Sequence, residues 1–151
     1  VGLAVAKGIC WALRLPLTGV SSLLALAECS ALDSEQILAV KDAKRDEFYY
    51  AGFGRSEGGL IQTVTDSIGP AEMLRELLDR GFKPFGPGFF ALKERISHEL
   101  LDRDSDGYDR DRLGGAVAFL GYGYLRAGKV LDLAESAPNY IRVPKPREWK
   151  S

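Results

Sequence analysis

A chain of 151 residues, 46% hydrophobic and 27% charged, has the composition of a soluble globular protein, and at this length it buries roughly 70% of its unfolded surface without a disulfide or metal staple. Its net charge of −1 speaks against bulk electrostatic capture of nucleic acid, which wants a basic surface. Cys10 and Cys29 both lie in apolar stretches and make no secreted disulfide framework, and no apolar run reaches the ~18 residues of a membrane span.

Residues 1–13 are apolar almost all the way round, with Lys7 and Arg14 as a narrow polar stripe. Ala4, Gly8 and Ala12 recur every four residues and set small side chains on one helix face, where another helix can approach closely. With no N-cap, no preceding turn and no initiator Met, the sequence is expected to open inside this helix. A signal peptide over 1–17 is disfavoured because the charged n-region is lacking and Lys7 interrupts the apolar core, so the expected location is cytoplasmic.

Pro16 stops the helix. Residues 17–21 then read as a short buried strand ending in a Ser21-Ser22 cap, and 23–32 as a second helix closed by Asp33-Ser34. The pattern changes from Gln36. Residues 37–40 read as a buried strand, 42–46 as a turn, 47–53 as an aromatic-rich strand, and 60–68 as a third, alternating antiparallel strand. Pro70 is placed at the first position of a helix with Met73, Leu74, Leu77 and Leu78 on its apolar face. A short strand over 82–85, a Gly86-Pro87-Gly88 turn, a helix over 89–101, an acidic loop over 102–111 and a helix over 113–127 follow. Residues 138–142 are read as extended, and 144–151 as a frayed tail.

Three antiparallel strands followed by crossover helices is the order of a ribonuclease H-like half-domain, an α/β unit with a mixed sheet flanked by helices. The expected division is therefore 1–34 as the remnant of an earlier half-domain, 35–143 as the ribonuclease H-like half-domain, and 144–151 as tail.

Chemistry-bearing motifs are few. Asp102, Asp104, Asp106 and Gly107 match the first half of a calcium loop, but position nine is Arg110 and position twelve is Leu113 instead of a bidentate Glu. The competing reading is a solvated loop in which Asp109 or Asp111 caps the following helix. Gly86-Pro87-Gly88 sits where backbone amides can hold a phosphate, yet no Lys or Ser/Thr stands at P-loop spacing, which favours a plain tight turn. His98 is the only histidine and is expected on a solvated helix face; a multi-histidine metal site within this chain is excluded. Gly114-Gly115 and Gly121-x-Gly123 inside a helix suggest close backbone packing. Lys41, Lys44 and Arg45 beside Tyr49 and Tyr50 could form a small RNA-contact patch, against which Asp42, Asp46 and Glu47 cancel the charge.

Four blocks in register carry a family resemblance: Val1-Gly-Leu-Ala-Val-Ala-Lys-Gly8, Pro16-Leu-Thr-Gly-Val-Ser-Ser-Leu23, Ile37-Leu-Ala-Val-Lys-Asp-Ala-Lys-Arg-Asp-Glu-Phe-Tyr49 and Pro138-Asn-Tyr-Ile-Arg142. Over nearly its whole length the chain resembles the later two-thirds of the TsaB (YeaZ) family. The matching positions include Lys7, Gly8, Gly19, Ser21, Asp42, Arg45, Glu47, Tyr49, Pro138, Tyr140 and Arg142. Phe48 stands where the family often has Val, Lys41 where an apolar residue is common, and the family's first strands and glycine-rich turn have no counterpart in this sequence.

The resemblance implies two half-domains of the actin/hexokinase/Hsp70-like (ASKHA) type. It implies a non-catalytic scaffold, without a cofactor or metal of its own, for making N6-threonylcarbamoyladenosine at position 37 of tRNAs. The implied partners are a TsaD-like catalytic subunit and a TsaE-like ATPase, with a homodimer when the chain is alone and tRNA met only through the complex. The interface would lie on Val1, Ala4, Val5, Gly8, Trp11 and Ala12. The alternatives from the enzyme class are an M22 glycoprotease-like metallopeptidase and an ASKHA-type ATPase or kinase fragment; a nucleic-acid-binding module centred on Lys44 and Arg45 is the third reading.

Overall fold

A computed structural model describes residues 1–30, 34–102 and 108–142. Its centre is a four-stranded sheet in the order β3-β2-β1-β4, built from β1 (Gln36–Lys44), β2 (Glu47–Ser56), β3 (Gly59–Pro70) and β4 (Lys83–Phe85). The first three strands pair antiparallel and β4 runs parallel to β1, Leu38 lying opposite Pro84. This is the mixed α/β sheet expected from the strand order.

β1 shows why the sheet lies inside the molecule. Ile37, Leu38, Ala39 and Val40 are all buried, and because successive side chains point to opposite faces, such an unbroken apolar run needs cover on both sides. Leu38 and Val40 join Phe48, Leu74, Leu78, Phe82, Phe89 and Leu92 on one face. Ile37 and Ala39 join Leu23, Leu26, Ala51, Phe53 and Phe85 on the other. The first face is covered by α3 (Ala71–Asp79), α4 (Phe89–Lys93) and α5 (Glu99–Asp102), the second by α2 (Ser22–Glu28) and α6 (Arg110–Arg126).

Several boundaries differ from the sequence reading. Residues 17–20 form no strand; their links to the chain's end are the Leu131 N–H donating to the Leu17 carbonyl (2.7 Å) and the Thr18 hydroxyl donating to the Lys129 carbonyl (2.9 Å). A strand needs a ladder partner, and among the described residues this segment has none. The second helix ends at Glu28. Asp42 belongs to β1, the turn tightens to Arg45-Asp46, and Lys44, Arg45 and Asp46 all adopt positive φ. Pro70 is the N-cap of α3 and still pairs with Glu47 as the last ladder residue of β3. Met73 is half exposed and Ala71 is buried in its stead.

The helix expected over 89–101 is broken at its middle. The Arg95 guanidinium reaches across to Asp46 (2.7 Å) while Ile96 turns into the core. His98 is not on a solvated face: its side chain is largely covered, with Nε2 3.2 Å from Asp79.

The glycines divide into two groups. Gly86 (φ 122°) and Gly88 let the chain cross β1 at close range, since a Cβ on Gly86 would meet the Val40 carbonyl at 2.7 Å and one on Gly88 the Asp42 nitrogen at 2.9 Å. The Gly88 N–H donates to the Val40 carbonyl (3.0 Å), so the turn is a packed crossing and not an open phosphate cradle. Gly121 in α6 is also occupied, with Thr18 Cγ2 3.4 Å from its would-be Cβ. Gly114, Gly115 and Gly123 on the same helix face open space, although each costs about 1 kcal/mol against Ala there. The expected close packing thus holds for Gly121 and finds no partner among the described residues for the others.

Candidate interface and the cleft beside it

α1 (Gly2–Leu13) ends in a left-handed Arg14 and buries none of its residues fully. At roughly 100° per residue, Leu3, Ala6, Lys7 and Cys10 share one side, which is half-covered. Of the polar stripe, Lys7 thus faces inward, while Arg14 is exposed. Lys7 Nζ donates to the carbonyls of Ala134 (3.3 Å) and Ser136 (2.9 Å), closing the far end of a turn whose near end is capped by Asp132, its carboxylate accepting from Ala134 N and Glu135 N. Those two N–H groups, Glu135 first, hold the Asp132 carboxyl below its ordinary pKa.

The other side of α1 carries Val1, Ala4, Val5, Gly8, Trp11 and Ala12, and all six are exposed, Trp11 at 75% and Val5 at 56%. Among the described residues, no non-neighbouring heavy atom lies within 4 Å of where a Gly8 Cβ would be. Ile9 and Leu13 extend the open apolar surface. Sequence reading missed these two because they flank the small-residue face that drew attention.

Next to α1 lies a cleft of about 600 Å³ that gathers much of the family-motif set. Gly19, Ser21, Tyr49, Pro138, Tyr140 and Arg142 line it together with Asp66 and Lys41. Ser21 organises its floor, accepting from Leu23 N (3.2 Å) and Leu24 N (3.4 Å) as the cap of α2 and donating to Asp66 (2.8 Å). Arg142 pairs with Glu47 (2.5 Å) and lies 6.0 Å from the Tyr49 ring centre, pinning the last described residues to the β1–β2 hairpin. A Cβ on Gly19 would sit 3.1 Å from Leu131 Cδ1.

Motif residues at the hairpin serve structure. Asp42 holds Lys44 through both its ammonium (2.6 Å) and its N–H (2.7 Å), and these bonds keep the Asp42 carboxyl below its ordinary pKa. Arg45 occupies the strained turn. Tyr50 is buried with its hydroxyl beside Met73 Sδ, which removes it from any RNA-stacking role. Cys29 is buried and its thiol pKa is raised by desolvation, the behaviour of a small hydrophobe; Cys10 is half-covered. Among the described residues no three His, Cys, Asp or Glu side chains gather as a metal-binding group. The acidic loop's Asp104, Asp106 and Gly107 lie outside the described residues, Asp102 closes α5, and Asp109 caps α6 by accepting from Asp111 N (2.9 Å). Among the described residues, no helix is long and apolar enough to cross a membrane.

Residues 1–80, which include α1, the Ser21 cap and the first three strands, match the family model described as TsaD: tRNA N6-adenosine threonylcarbamoyltransferase. The chain belongs to the TsaD family. Its fold is that of YeaZ from Pseudomonas aeruginosa, with a TM-score of 0.72 and 21% identity over 92% of this chain and 66% of that one. A second structure from Pseudomonas aeruginosa, an uncharacterized protein with similarity to peptidase YEAZ, superposes with a TM-score of 0.66 and 22% identity over 93% of this chain and 66% of that one. The ribonuclease H-like, ASKHA-type architecture is therefore shown, and the TsaD-family chain spans about two-thirds of the length of these neighbours. No curated protein matches the sequence.

Proposed function

We propose that this TsaD-family chain acts as a TsaB-like, non-catalytic scaffold in the cytoplasmic assembly that makes N6-threonylcarbamoyladenosine at position 37 of tRNAs. Its partners are a TsaD-like catalytic subunit and a TsaE-like ATPase, with a second copy of itself on the same face when it is alone, and tRNA is met through the complex. Residues 1–34 serve as the closing part of the first half-domain and 35–143 as the second, with 144–151 as tail.

The observation that carries this reading is α1, a helix of 12 residues with none buried and an apolar, small-residue outer face. Covering Trp11 and Val5 contributes several kcal/mol at ~25 cal/mol per Å² before association costs, and Gly8 lets the partner backbone come close. The test is co-purification of the tagged chain with the TsaD-like subunit. Gly8→Leu and Trp11→Glu should each reduce recovery at least about tenfold, the effect of losing one interface anchor. Undiminished recovery with both variants would sink the interface. The peptidase and ATPase alternatives are checked on the same preparations by metal analysis and ATP turnover.

A further inference from the structure

The outward face of α6 is apolar, rich in small residues, and separate from α1. The helix packs its inner side, with Ala116 and Gly121 buried and Leu113 and Leu120 half-buried, over α2. At 3.6 residues per turn the opposite side carries Asp111, Gly115, Ala118, Tyr122 and Leu125 at alternating steps of four and three, the spacing of a coiled-coil seam. Tyr122 is 63% exposed, Leu125 37%, and Phe119 on the flank 68%.

This seam is graded along its length. Its first half is small (Gly115, Ala118) and its second half large (Tyr122, Leu125). A parallel copy would set Tyr122 against Tyr122 and leave a void at Gly115. An antiparallel copy sets each large half over the other's small half, Ala118 facing Tyr122 and Gly115 facing Leu125. The same arrangement brings Asp111 towards the basic end of the partner helix, where Arg126 stands. Arg110 and Arg112 point roughly 100° to either side and do not oppose it. Arg126 lies near this seam, with its guanidinium 3.5 Å from the Tyr122 hydroxyl. The exposed Gly115, which weakens the helix and has no atom near its would-be Cβ among the described residues, is where a neighbouring backbone would approach.

We propose that α6 pairs antiparallel with α6 of a second copy of this chain, as an interface distinct from α1. One helix pair buries less than the ~1,200 Å² typical of a stable complex, so the association is concentration-dependent, with a dissociation constant in the micromolar range or weaker (~10⁻⁶ M and above).

Sedimentation equilibrium over micromolar to several hundred micromolar full-length protein tests it, with Trp11→Glu in every sample to silence α1. The expected result is a monomer–dimer equilibrium in that background. Gly115→Leu, which strengthens the helix and so does not act by unfolding it, should weaken the dimer about tenfold or more, as a wedge at a packed seam does. Asp111→Arg should weaken it several-fold, and Asp111→Arg with Arg126→Asp should restore it. A monomer throughout, a dimer indifferent to Gly115→Leu, or a charge swap that fails to restore association overturns the proposal. The α1 reading is read separately, from co-purification with the catalytic subunit.

Discussion

β1 and α1 are both rich in apolar residues, and they end in opposite environments. Four consecutive residues of β1 are wholly enclosed, because its two faces are covered by two helical layers. In α1 the sole polar side chain, Lys7, points inward to carbonyls while Trp11 and Val5 face out. Hydrophobicity states a demand for cover; which side is covered depends on what the rest of the chain brings there. An exposed Leu means little, but a whole apolar helix face left exposed among the described residues is informative.

The contrast can be broken or sharpened by mutation. Phe48 is enclosed in the sheet core, and Phe48→Ala should cost about 3–5 kcal/mol, lowering Tm in calorimetry by roughly 10 °C in a chain of this size. If Tm holds, the sheet core does not carry the stability. Ser21 stands between the two regions, capping α2 and bonding Asp66. Ser21→Ala should remove about 1 kcal/mol, a fall of roughly 2–4 °C; no change would mean that water replaces the cap at no cost. Trp11→Gln should stay within about 0.5 kcal/mol of the parent in the isolated chain, despite removing an aromatic as large as any in the core. A drop comparable to that of Phe48→Ala would show that α1 is packed within its own chain and would remove the contrast.

Much of this was legible in the sequence. The strand order and the apolar run of β1 gave the sheet and its burial, because a period of two and a run without polar breaks leave few alternatives. The Ser21 cap and the packed turn at Gly86 followed from local chemistry. What local pattern could not supply was long-range pairing. Residues 17–20 have strand-like composition and no ladder among the described residues, and His98 reads as solvated until the fold sets Asp79 at the end of α3 beside it. Asp66 and the turn at Asp132 carry no motif, so their part in the cleft and in holding Lys7 emerges only once the chain is folded. Motif residues as distant as Ser21, Tyr49 and Arg142 lining one cleft is likewise a fact of topology.

The turn held by Lys7 has a consequence for how the molecule comes together. Its acceptors, Ala134 and Ser136, lie 127 and 129 residues further along the chain, and Thr18 meets Lys129 across 111. Contacts of such separation form late, after nearer pairings have shortened the loop between them. On the ribosome α1 is made long before residues 129–136 and cannot settle until they have emerged. Throughout that interval its apolar residues remain uncovered, a surface that chaperones recognise while the chain is still being made.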